Sequence, residues 1–403
     1  MLVLIAWKNV WRNKRRSAIM ITAIMIGLWS GVFAVGVASG VYDSMIRTAI
    51  DRSLAHVQIH APGFREERVI TSFIQHADSV LNVVRTFKAV TAASDRTLID
   101  GMGSSPTSSQ GLTIVGIDPD MEKAVTTIST HLVSGTYFGG SERLPIVVGQ
   151  KFAERLGLKE RAKVVLSFQR PDGTIVYGAF RIVAIFNTES SEFDGTTVFV
   201  RRTDLEGLTG IPLIHEIAIR LVSNDSLAAA AQEIRAAFPA LDVDSWRDLA
   251  PELKIVESGD VFMTIFLGII LLALMFGITN TMLMSVLDRV REFGVLMAVG
   301  MKRKHIYLMI TIETLFLSVT GAVSGVLLGA ATVAWWGHAG INLAWFAEGL
   351  SKYGISSHLF PVVHTTMYAT LGLMVLLTAC IAAVYPALKA IRLNPAVALA
   401  TNA

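Results

Sequence analysis

The sequence predicts an α-helical membrane protein of four spans with a large α+β extracytoplasmic domain inserted between the first and second. Three observations predict it. Of 403 residues, 52% are hydrophobic and only 17% charged, and the mean hydropathy of +0.54 exceeds soluble usage. Four long apolar runs are present, at 17–41, 260–287, 306–336 and 366–388. The stretch between the first two, 42–259, contains no such run and is large enough for a folded domain.

The chain opens with Trp7 and Trp11 among Lys8, Arg12, Lys14, Arg15 and Arg16, which predicts a cytoplasmic interfacial helix over 1–16. Ser17 to Val41 then runs without a charge, long enough to span and too long for a signal-peptide core. Val261 to Leu287 is likewise free of charge from end to end. Twelve Lys or Arg flank the ends assigned to the cytoplasm, against Lys352 alone in the short outer loop 337–363. That asymmetry predicts both termini, including the tail 389–403, on the cytoplasmic side and the large domain outside. Trp335, Trp336 and Trp345 suit the outer interface.

Within 42–259, His56–His60 alternates as a strand and Asp78–Phe87 has helical periodicity. Ile114–Ile117 reads as a strand and Phe152–Leu158 as a short helix closed by Gly157. Val164–Phe168 and Thr174–Phe186 read as a hairpin around Arg170-Pro-Asp-Gly173, and Leu227–Phe238 as an amphipathic helix.

Small residues at Gly27 and Gly31 in the first span, and at Gly321, Gly325 and Gly329 in the third, are spaced for close helix contact. Asn280 is expected to bond between helices. Glu313 is the one ionisable group well inside a span, roughly 10 Å from Ile306. Pairing or snorkelling outweighs a proton relay there, since no second intramembrane acid exists.

Several chemistries are excluded or unsupported. The net charge of +3 argues against a nucleic-acid surface, and the single cysteine, Cys380, allows no internal disulfide. No phosphate-binding Gly-x-x-x-x-Gly-Lys-Ser/Thr, no histidine metal spacing and no nucleophile elbow occurs, so neither a catalytic site nor a cofactor is expected in this chain.

The segment 288–304 is charged, between two apolar runs, and reads as a helix with Val290, Phe293, Met297 and Met301 on one stripe. Gly300 before Lys302, Arg303 and Lys304 reads as its C-terminal cap. Arg291-Glu-Phe-Gly-Val-Leu-Met-Ala-Val-Gly300 resembles the coupling segment of the FtsX/MacB-like ABC transporter permeases, with Phe293 where the family has Ile. The resemblance implies a helix docked on a separate ATPase dimer that holds ATP and Mg, with Arg289, Arg291, Glu292, Phe293, Gly294, Met297 and Gly300 forming the coupling site.

Phrases of the large domain extend the likeness to the LolC/LolE-like lipoprotein-releasing branch: Gly116-Ile-Asp-Pro119, Val133-Ser-Gly-Thr-Tyr-Phe138, Val147-Val-Gly-Gln150, Phe193-Asp194 and Ser245-Trp246. That branch implies a porter part, about 42–110 and 215–259, and a sabre part, about 111–214. It also implies a dimer with a second copy or a paralogous permease in the bacterial inner membrane, handing lipoprotein to a periplasmic carrier. A MacB-like exporter of amphiphiles or peptides with an outer-membrane duct, and an FtsX-like regulator of a cell-wall hydrolase, are the alternatives. In the LolC branch a long loop projects from a sabre hairpin, whereas Pro-Asp-Gly here is tight-turn chemistry with no room for one.

Overall fold

The computed structural model describes residues 7, 8, 10, 12, 14–139, 142–251, 253, 259–352, 354–363 and 365–392. Trp11 and the tail beyond Arg392 lie outside them. Two compact units emerge, one of residues 1–42, 257–341 and 359–403, the other of 43–256 and 342–358.

In chain order the elements are helix α1 (Lys14–Ala49), β1 (Val57–His60), α2 (Phe64–Glu67), α3 (Ala77–Val84), β2 (Val90–Ser104), β3 (Ser109–Ile117), α4 (Pro119–Val125), β4 (Leu132–Gly135), β5 (Pro145–Gly149) and α5 (Gln150–Leu156). There follow β6 (Lys163–Gln169), β7 (Ile175–Phe186), α6 (Phe193–Thr196), β8 (Thr197–Arg201), α7 (Arg202–Thr209), β9 (Glu216–Leu221), α8 (Leu227–Ala237), β10 (Asp242–Ser245) and α9 (Trp246–Leu249). The chain ends with α10 (Gly259–Asp288), α11 (Val290–Ala298), α12 (Arg303–Ala339), β11 (Ile341–Asn342), α13 (Ala347–Ser351), β12 (His358–Leu359) and α14 (Thr365–Ile391).

The α+β unit is built on one mixed sheet of ten strands, in the order β10-β1-β9-β2-β3-β8-β5-β7-β4, with β6 pairing β2 and β7. Strand β2 ties it together. Its first half pairs β9, and its second half pairs β3 and β6. One core gathers Ile59, Val84, Ile219, Ile234 and Trp246 beneath α3 and α8; others gather Ile114, Phe152, Phe180 and Val200, and Ile117, Phe186 and Phe199. Asp118, just past β3, caps α4, its Oδ1 accepting from the backbone N–H of Asp120 at 2.9 Å. The β6/β7 hairpin closes as its sequence requires: Gln169 pairs Ile175, Gly173 sits at φ 85° and its N–H donates to Arg170 O at 3.0 Å. Residues 342–358 fold onto this unit, where Ser191 N–H donates to Ser351 O at 3.0 Å, a docking the sequence reading did not include.

In the other unit, α1, α10, α12 and α14 are long and apolar enough to cross a membrane. Helix α1 outruns the charge-free stretch at both ends, because Asp43 and Arg47 are helix-compatible and pair at i,i+4, and the backbone breaks only at Ala55, φ 52°. The glycine ridge of α12 lies on α1: a methyl group on Gly325 would stand 2.6 Å from Met25 O, and on Gly329 2.7 Å from Val32 Cβ. Gly27 instead receives Leu274 of α10. Trp29 Nε1 donates to Thr332 Oγ1 at 3.0 Å. Asn280 is exposed; the bond between helices comes from its neighbour, Thr279 Oγ1 donating to Ala382 O at 3.2 Å. Periodicity explains this correction, since adjacent residues on a helix point about 100° apart and only one can face a given partner.

Candidate functional site: a short helix held by a chain of ion pairs

Helix α11 spans nine residues, shorter than the charged segment that contains it. It closes with a Schellman turn, in which Met301 N–H donates to Leu296 O at 2.9 Å and Gly300 N–H to Met297 O at 3.1 Å. The turn demands a left-handed residue, and Gly300 supplies φ 96°. Arg303 then opens α12 directly, leaving α11 pinned between two long helices.

Its inward face is apolar. Phe293 is 1% exposed in a cluster with Ile306, Met309 and Ile310, against which Leu296, Met297 and Met301 also pack. Gly294 is buried too. The outward face carries Arg291 and Glu292 together with two apolar residues, Val295 at 47% and Val299 at 84% exposure. Singling out charged and glycine positions missed these two valines. Their signal was the i,i+4 spacing on the side opposite Phe293.

Four charged side chains run in series from this face inward. Arg12 Nη2 donates to Glu292 Oε1 at 2.6 Å; Arg289 Nε donates to Glu292 Oε2 at 2.9 Å; Arg289 Nη1 donates to Glu313 Oε2 at 3.0 Å. The Arg289 guanidinium also lies 5.2 Å from the Phe293 ring centre. Arg16 pairs with Asp288 alongside. Burial works to raise the Glu292 carboxyl, and the hydrogen bonds from Arg12 and Arg289 overcome it, holding it below the ordinary range. Contributions along the series differ. The exposed Arg12–Glu292 pair is worth about 0–1 kcal/mol, while removing Arg289 from its buried pair with Glu313 costs about 3–5 kcal/mol.

The seven residues expected to couple to a partner therefore divide. Arg291, Glu292 and Gly300 are exposed and Met297 is half-buried. Arg289, Phe293 and Gly294 are turned inward, because the apolar stripe and the ion pair to Glu313 claim them. Glu313, expected to pair or to snorkel, meets Arg289, and pairing is the role the geometry provides.

Residues 264–395 match the FtsX-like permease C-terminal family, and residues 17–237, more than half the chain, match the MacB-like periplasmic core domain. The chain belongs to the MacB-like periplasmic core domain family. It is 24% identical to the macrolide export ATP-binding/permease protein MacB of Azoarcus sp. over 97% of this chain, and spans 58% of that relative's length. A MacB of Brucella abortus is 39% identical over 35% of this chain and 20% of its own. The lipoprotein-releasing system transmembrane protein LolC of Xylella fastidiosa (strain 9a5c) is 22% identical over 96% of both chains. Among solved structures, the extracellular domain of the noncanonic ABC-type transporter YknZ from Gram-positive bacteria aligns at TM-score 0.34 and 14% identity, over 47% of this chain and 99% of that one. The periplasmic region of MacB from Actinobacillus actinomycetemcomitans aligns at 0.36 and 12%, over 52% and 95%.

Proposed function

We propose that this MacB-like permease transmits the closure of an ATPase dimer, through α11, to release outer-membrane lipoproteins from the inner membrane to a periplasmic carrier. ATP and Mg belong to the partner ATPase, and two permeases, identical or paralogous, complete the assembly. Both termini face the cytoplasm and the α+β unit faces the periplasm, as the twelve-to-one excess of flanking basic residues favours. The observation that carries the reading is α11 itself, a capped helix whose inner face is locked by packing and ion pairs and whose outer face offers Val295 and Val299 beside Arg291 and Glu292. A rigid strut with an apolar, charge-rimmed face is what a protein partner can push. Lipoprotein release leads because the likeness to LolC runs across 96% of both chains. A MacB-like export role is the second reading, favoured by the 39% identity to MacB over 146 residues.

The test reconstitutes the permease with its ATPase in proteoliposomes and measures lipoprotein released per ATP hydrolysed. Val299→Asp, a surface change at a residue that belongs to none of the ion pairs, should lower that ratio while the protein stays folded. Glu292→Lys should do the same and also loosen α11 from Arg12. Normal coupling in both variants would contradict the proposal.

A further inference from the structure

The α+β unit holds a cleft of about 350 Å³ on one face of its sheet, where β1, β9, β2, β3 and β8 lie side by side. Alternation puts His60, Glu216 and Arg96 in one row across it, since Glu216 is the register partner of both others. A second, apolar row runs through Leu98, Val115 and Phe199, again register partners in turn. The size is that of a small-ligand site, apolar ground with a few convergent polar groups.

The polar row is first of all structural. Arg96, 4% exposed, donates to Glu216 at 2.6 Å, to Glu122 at 2.7 and 3.1 Å and to Ser53 O at 2.7 Å, which satisfies its fork. His60 Nε2 lies 3.3 Å from Glu216 Oε2. Two side-chain atoms of lining residues are buried with no hydrogen-bond partner, Nδ1 of His60, whose residue is 3% exposed, and Nε of Arg52. Buried polar atoms left unmade cost about 1–3 kcal/mol each.

Four arginines and one carboxylate are among the described residues lining the cleft: Arg52, Arg65, Arg68, Arg96 and Glu216. Arg65 and Arg68 at the rim each hold an aspartate, Asp244 at 3.1 Å and Asp100 at 3.3 Å, and each guanidinium keeps further N–H groups. Arg52 lies 5.1 Å from the Phe193 ring centre. Burial pulls its guanidinium below its ordinary range, against the opposing charges of Asp194 and Glu192, so a further anion beside it would be favoured.

We propose that this cleft binds a small amphiphilic anion, a carboxylate or phosphate ester on a short apolar body, with its charge on Arg52 and Arg68 and its apolar part along Leu98, Val115 and Phe199. The inference stands apart from the coupling role of α11 and from the identity of the transported cargo.

The full-length chain in phosphatidylcholine nanodiscs is titrated calorimetrically with octanoate, octyl phosphate, octyl glucoside and inorganic phosphate, and empty nanodiscs supply the background. At least one octyl anion should bind saturably at one per chain. Octyl glucoside and inorganic phosphate should each bind roughly tenfold or more weaker, since a hydrogen bond to a charged group and an eight-carbon body each exceed ~1.4 kcal/mol. The tighter of octanoate and octyl phosphate identifies the headgroup. Arg52→Gln should weaken the anion about tenfold. Arg68→Gln, on a half-exposed rim position, should weaken it measurably and serves where Arg52→Gln fails to fold. No saturable binding, octyl glucoside binding as tightly as the anions, inorganic phosphate binding as tightly, or undiminished affinity in Arg68→Gln would overturn the proposal.

Discussion

Breaking the Arg289–Glu313 pair from its two ends should have unequal costs. Both side chains are nearly buried, 9% and 7% exposed, so neither regains much water when its partner is lost. Arg289 also holds Glu292, at 2.9 Å, and therefore keeps one counter-charge when Glu313 is replaced. Among the described residues, Glu313 has no ion-pair partner besides Arg289. Arg289→Met should then destabilise by the full cost of an orphaned buried charge, about 3–5 kcal/mol, and Glu313→Leu by less, about 1–3 kcal/mol. The double variant removes both charges, and apolar replacements of similar volume are often neutral, so it should recover most of the loss in the worse single variant. Thermal midpoints of the purified chain in one detergent, read by size-exclusion fluorescence, give the order: wild type and double variant highest, then Glu313→Leu, then Arg289→Met. Equal losses in the single variants that add in the double would show that the two residues do not act as a pair.

Three further outcomes follow from the same geometry. Gly325→Ala should lower stability by about 1–3 kcal/mol because its methyl group would strike Met25 O, while Gly277→Ala, with nothing within 4 Å, should be neutral or mildly stabilising; equal effects on complex yield and thermal midpoint would deny that the ridge packs. Burial pushes the Asp194 carboxyl up to about 6, against hydrogen bonds from Thr188 and the charge of Arg52. Its folded value thus lies above the unfolded one, the unfolded chain gives up the proton first, and this group's contribution to stability falls as pH rises from about 4 to about 6. Asp194→Asn should accordingly gain on wild type by roughly 1–3 kcal/mol between those limits, and a pH-independent gap in unfolding midpoints would refute it. Photocrosslinkers at Gln169, Arg170 and Thr174 should give no strong adduct with a periplasmic carrier, since the β6/β7 hairpin turns between Gln169 and Ile175; strong adducts from all three would make that turn the docking site.

The spans were legible because the charge-free runs 17–41 and 261–287 leave no other solution, and the hairpin because Pro-Asp-Gly permits only a tight turn. Helix ends were not, since Asp43 and Arg47 look like a domain boundary yet pair along one helix face. Strand β2 was hidden for a different reason. Asp95, Arg96 and Thr97 have the composition of a solvated stretch, but they are 2–4% exposed, and partners remote in sequence, Arg202, Glu216 and Leu213 O, make their burial tolerable. In the candidate site, the apolar stripe, Gly300 and the intramembrane Glu313 could be found from spacing and type. That Arg289 pairs with Glu313 could not, because 24 positions separate them and the turn at 289–303 brings them together.

The central claim is that α11 meets the ATPase with its outward face. A photocrosslinking residue placed singly at Val295, Val299 and Phe293 in the assembled complex tests it most directly. Strong adducts to the ATPase from Val299 and Val295, with none from buried Phe293, are the result expected. Absence of ATPase adducts from both valines, in a complex that still hydrolyses ATP and releases cargo, would contradict the account.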